Sequence, residues 1–113
     1  MFGLICLILA AGLISSDAMM TAKYAHFDVE EFAKLPCPNT PLVDSAYFTM
    51  PWKGYTNPNC GYYFEVDLRA EIEDFCEQSP GACSFWLEEV LGKELDRTCV
   101  DSFHVGYICM PKA

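Results

Sequence analysis

Seven cysteines occur in this 113-residue chain, and only the first, Cys6, lies inside an apolar N-terminal run, Phe2 to Ile14. That run is about 13 residues long. A membrane-spanning helix needs roughly 20, so the segment reads as the apolar region of a signal peptide. The small residues Ser16 and Ala18 place the cut after Ala18, giving a signal peptide over 1–18. A cut after Ala22 is the alternative, weakened by the bulky Met20. Removal leaves six cysteines in a domain over 19–113, about 95 residues. An even cysteine count in a chain that short predicts a secreted, extracellular protein held by three disulfides.

A domain of this size buries a modest core, and each bridge adds roughly 2 to 4 kcal/mol by the chain-entropy argument. The sequence carries 16 acidic and 7 basic residues, a net charge of −9. Losing Asp17 with the signal peptide makes it −8. Glu65, Asp67, Glu71, Glu73, Asp74 and Glu77 are opposed only by Arg69 in that stretch. Such a field repels phosphate backbones and anionic headgroups and attracts basic surfaces. Nucleic-acid binding and membrane insertion are therefore disfavoured, and a monomer is expected. Asn39-Thr40-Pro41 and Asn59-Cys60-Gly61 both lack the Asn-x-Ser/Thr pattern, so no N-glycosylation is expected.

Local patterns predict a helix from Asp28 to Leu35, opened by an Asp28/Glu31 capping box with Phe27 and Phe32 as its staple. Pro36 ends it. Ser45–Met50 and Tyr62–Val66, rich in aromatic or β-branched residues, predict two strands separated by the loop 51–59. From Asp67 to Gln78 the period changes: Leu68, Ile72, Phe75 and Cys76 share one helical face, and Asp67, Glu71 and Asp74 the other. A second helix is expected after Ser79-Pro80-Gly81, running to about Arg97 unless Gly92 ends it early. Phe103–Cys109 reads as a final strand. The predicted fold is a small disulfide-stabilised α+β domain in the order helix-strand-strand-helix-helix-strand. A helical hairpin would bring Cys76 beside Cys83 and Cys99 towards Cys60, leaving Cys37 for Cys109. That nested set is one of 15 possible pairings of six cysteines.

The spacing of the cysteines contains no C-x-x-C pair, which argues against a zinc knuckle or a thioredoxin-like redox site. Asp67, Glu71 and Asp74 have helical spacing rather than that of a calcium loop, so no metal or other cofactor is expected. Of the two histidines, His26 falls near the mature terminus and His104 in the last strand. His104 with a carboxylate, Glu65 being the natural candidate, is the minimal acid/base set for a small hydrolase or ribonuclease. A structural histidine is the simpler reading, and the chain is not expected to be an enzyme.

The aromatic belt is the most suggestive feature: Tyr47, Phe48, Trp52, Tyr55, Tyr62, Tyr63 and Phe64 fall within 18 residues. Trp52 and Tyr55, with Lys53 between them, sit in the predicted loop. Large aromatics there either anchor a partner or fold back as a lid over a small core. The leading expectation is a secreted three-disulfide binding protein, of the venom, salivary or secreted-effector class. Its target is expected to be an extracellular protein or glycan. The alternatives are the hydrolase built on His104 and a carrier of an apolar ligand held between the helix pair and the sheet.

Overall fold

A computed structural model describes residues 20–79 and 81–110. The predicted signal peptide over 1–18 lies outside the described residues, as does Pro80 of the expected Ser79-Pro80-Gly81 break. The alternative cut after Ala22 would remove Thr21 and Ala22, which pair with Cys109 and Ile108 in the main sheet.

The frame is a three-stranded antiparallel sheet in which β5 (Ser102–Cys109) lies between β1 (Thr21–Asp28) and β3 (Leu42–Thr49). The last strand takes the centre and is buried along one side and buried or half-buried along the other. Phe103, Val105, Tyr107 and Cys109 are buried on the core side, while His104 and Ile108 on the other side are half-buried. A shorter ladder joins β2 (Ala33–Leu35) to β4 (Cys83–Phe85), with Ala33 opposite Phe85 and Leu35 opposite Cys83. Among the described residues there are four short helices: α1 (Trp52–Thr56), α2 (Gly61–Glu65), α3 (Leu68–Glu77) and α4 (Leu87–Leu91). A 3-10 turn, Pro58–Cys60, precedes α2. Helix α3 starts at Asp67, whose carboxylate accepts the Ala70 N–H at 3.1 Å, and buries Leu68, Ile72 and Cys76. Phe85 ties the two ladders together, with its ring 6.2 Å from Phe103 and 6.1 Å from Phe75.

The domain is α+β as expected, but the element order differs because strands come first. The expected helix over Asp28–Leu35 is a turn followed by β2. Half of its capping box forms: the Asp28 N–H donates to Glu31 Oε1 at 3.0 Å, while Asp28 Oδ1 accepts from the Glu30 N–H at 2.8 Å and the Glu31 N–H donates to the Asp28 carbonyl at 3.0 Å. Those bonds close one turn and no more. Eight residues make a marginal helix, whereas pairing with β4 buries Ala33 and Leu35 completely. The expected staple is also absent: Phe27 packs on Phe103 at 5.4 Å and Phe32 on Trp86 at 5.1 Å.

The expected strand over Tyr62–Val66 is replaced by α2, in which the Val66 N–H reaches the Tyr62 carbonyl at 3.0 Å. Tertiary contacts override the β-propensity of its aromatics. Tyr63 is buried, its ring lies 5.4 Å from Phe48, and its hydroxyl accepts the Asp96 N–H at 3.0 Å. The long second helix shrinks to α4. Cys83, Phe85 and Leu87 are buried at every second position, which is a strand period. Gly92, with φ of 69°, ends α4 in the left-handed conformation that glycine adopts freely. His26, expected at a poorly ordered terminus, stands in β1 directly opposite His104.

The disulfides run Cys37–Cys109, Cys60–Cys99 and Cys76–Cys83. The first fastens the segment after β2 to the end of the central strand. The second holds the 3-10 turn against the approach to β5, and the third closes α3 onto β4. Among the described residues no helix is long and apolar enough to cross a membrane.

Candidate functional site

Helix α1 is a single turn with one residue turned inward. Gly54 is buried, and its N–H donates to the Pro51 carbonyl at 2.8 Å. A Cβ at that position would lie 2.7 Å from the Cys99 carbonyl oxygen, so the helix rests backbone to backbone on Cys99. Cys99 is itself fixed by its bridge to Cys60. Docking through Gly54 turns the neighbouring side chains outward: Trp52 is 79% exposed and Tyr55 59%. Trp52 is therefore no lid over the sheet. Lys53 is exposed between them, and Phe64 of α2, itself exposed, brings its ring to 6.1 Å from Tyr55.

The structure thus brings Trp52, Lys53 and Tyr55 onto one pinned element and adds Phe64, which lies beside Tyr55 because its segment is helical rather than a strand. The glycine was the available signal: a small residue among large ones marks a close backbone approach. Beside α2, the Lys93 ammonium sits 3.8 Å from the centre of the Tyr62 ring. Burial, then the nearby Glu71 carboxylate, raise the Tyr62 hydroxyl above the ordinary tyrosine range.

The open face of the sheet carries a second group. His26, His104 and Tyr47 lie side by side across β1, β5 and β3 in direct register. The His26 and His104 ring centres are 4.4 Å apart, and Tyr47 stacks on His104 at 4.7 Å. His26 Nε2 is 2.9 Å from Ser102 Oγ, and His104 Nε2 is 3.1 Å from Thr49 Oγ1. Glu65 belongs to α2 rather than to a strand beside β5, so the pairing that suggested it as the partner of His104 is absent.

A third group lies at the turn after β1. Arg97 grips Asp28 with both guanidinium nitrogens, at 2.8 and 3.1 Å, and also reaches Glu30 at 3.4 Å. That bidentate pair, followed by the Glu30 N–H, holds the Asp28 carboxyl down at about 2. Nearby, Val29, Glu30, Trp86 and Glu88 line a shallow pocket. Among the described residues no cluster of three or more histidine, cysteine or acidic side chains is arranged to hold a metal ion.

No protein-family model, curated protein or solved structure matches the chain.

Proposed function

We propose that this chain is a secreted, disulfide-stapled binding protein whose target is an extracellular protein. Trp52, Tyr55 and Phe64 are the anchors and Lys53 a polar contact beside them. The observation that carries this reading is the display of Trp52 and Tyr55 on a helix fixed through Gly54 to a disulfide-bridged residue. Rigid, exposed aromatics offer contact area at small entropic cost, and such residues dominate the energetics of protein interfaces. Three disulfides and the apolar N-terminal run support export into an oxidising compartment. A venom or salivary component, or a secreted effector, has this form.

The hydrolase alternative now rests on His104 beside His26, which would replace the carboxylate as its acid/base partner. The binding reading stands ahead of it because both Nε2 atoms meet hydroxyls of the sheet itself. The carrier alternative loses its helix pair, since α4 spans only Leu87–Leu91.

The test is affinity capture from extracellular fluid and cell-surface extracts with the oxidised protein. A Trp52→Ala/Tyr55→Ala variant with native circular dichroism is the control. A protein retained by the wild type and lost from the variant supports the reading, and a retained glycan moves the target class. Equal retention by both refutes the assigned surface.

A further inference from the structure

We propose that the pocket between the turn after β1 and the start of α4 is a receptor for a lysine side chain of a basic polypeptide partner. Val29, only 1% exposed, and Trp86, half exposed, are its apolar lining. Glu30 and Glu88 complete the lining. An indole beside two acidic side chains suits an ammonium on an apolar stem: the ring can receive the stem and the acids the charge. The Phe32 ring, 5.1 Å from that of Trp86, supports the indole from the side.

The immediate surroundings favour a cation. The Arg97 guanidinium is already seated on Asp28 and Glu30 at the edge of the pocket. Even so, the turn and the first residues of α4 carry Asp28, Glu30, Glu31, Glu88 and Glu89 against that one base. Glu88 Oε2 accepts the Leu95 N–H at 3.2 Å, which fixes the carboxylate and leaves its other oxygen for a ligand. The chain as a whole, at net −9, draws basic surfaces towards it. An apolar occupant would leave Glu88 without a counter-charge and Glu30 with only its share of Arg97, and an acidic one would be repelled.

The pocket adds a partner chemistry to the binding reading and depends on that reading only for its use. Its own test is done on the purified oxidised protein, so failure here leaves the Trp52 surface standing, and the reverse. The probe is a blocked Gly-Gly-Lys-Gly-Gly peptide, with the isosteric norleucine peptide as comparison, and both are titrated while the two tryptophan indole N–H resonances are followed by NMR. Trp86→Leu assigns the signals. The lysine peptide is expected to shift the Trp86 resonance saturably, with a dissociation constant on the order of millimolar, as a single side-chain contact allows. Trp52 should stay in place as the internal control.

Glu30→Gln and Glu88→Gln should each weaken that binding about twofold to fivefold, the range of an exposed charge pair. Glu88→Gln keeps an acceptor for the Leu95 N–H, so the rest of its spectrum should remain native. Equal shifts from the norleucine peptide would reduce the site to an apolar patch and overturn the proposal. So would a shift that never saturates, an equal response at Trp52, or unchanged affinity in both folded glutamine variants.

Discussion

Gly54→Ala and Gly61→Ala are the same chemical change in neighbouring helices, and they should have opposite effects on stability. A methyl group at Gly54 meets the Cys99 carbonyl oxygen at 2.7 Å, a backbone atom held by the bridge to Cys60. At Gly61, with φ of −57°, the same methyl group meets nothing within 4 Å. Both substitutions restrict the unfolded chain, which alone stabilises by roughly 0.4 to 1 kcal/mol. Gly61→Ala should keep that gain. Gly54→Ala must also bear the overpacking, about 1 to 3 kcal/mol for added bulk in a close-packed contact. The shared unfolded-state effect cancels between the two variants, so their difference measures the clash itself, about 1 to 3 kcal/mol. For a domain of this size that corresponds to roughly 4 to 24 °C in melting temperature. Equilibrium guanidinium unfolding of both variants with the disulfides intact, followed by far-ultraviolet circular dichroism, gives the comparison. A Gly54→Ala variant as stable as Gly61→Ala would refute the close docking of α1 and, with it, the reason that Trp52 and Tyr55 face outward.

Other perturbations have equally definite outcomes. Replacing Trp52 and Tyr55 by alanine should change unfolding stability by less than about 0.5 kcal/mol each, since surface truncations seldom cost more; a large loss would mean that both are packed. Replacing paired cysteines by alanine should cost roughly 4 kcal/mol for Cys37–Cys109 or Cys60–Cys99, which close 72 and 39 residues, against about 2 for Cys76–Cys83, which closes 7. Denaturant midpoints rank the three. Asp28, held at about 2 by Arg97, lies below the ordinary carboxyl value of about 3.9. Its contribution to stability is therefore present above about pH 4 and lost as pH falls through about 2, and Asp28→Asn should flatten that part of a stability–pH profile. His104→Ala removes direct cross-strand contacts with His26 and Tyr47 and should cost about 0.5 to 2 kcal/mol. It should leave target capture intact, whereas loss of a hydrolytic activity would favour the enzyme alternative.

The elements legible in the sequence are those whose apolar pattern coincides with their final surroundings. Strand β5 buries Phe103, Val105, Tyr107 and Cys109 on one side, and α3 buries Leu68, Ile72 and Cys76 on one face, so a single period identifies each. Strand β1 carries no such record. Its core-side positions Thr21 and Lys23 are exposed, and only Phe27 is fully inside, so the strand exists through its ladder to β5. Asp28 and Glu31 illustrate a different failure. Their capping signal is obeyed locally, but a cap decides only how a turn begins, and the burial of Ala33 and Leu35 decides that a strand succeeds it. Tyr62, Tyr63 and Phe64 favour a strand by composition, yet the docking of the Tyr63 ring and hydroxyl makes them helical.

Cys76–Cys83 shows why a pairing can be legible when the elements around it are not. A bridge requires only that two Cα atoms come within reach, here 5.4 Å, and six intervening residues that reverse direction achieve this with either a helix or a strand on the far side of the turn. The expected helical hairpin and the observed α3-to-β4 connection satisfy the same condition. The candidate site is less forgiving, because exposure depends on which side of a one-turn helix meets the core. In Trp52-Lys53-Gly54-Tyr55 the two aromatics dominate any reading by hydrophobicity, yet the residue that faces inward is the one without a side chain. Glycine allows α1 to approach Cys99 at backbone distance, and this contact leaves no room beneath the helix for an indole. The two largest apolar groups of the turn are thereby committed to solvent, an arrangement that hydrophobic burial alone would not select and that a binding partner would make favourable.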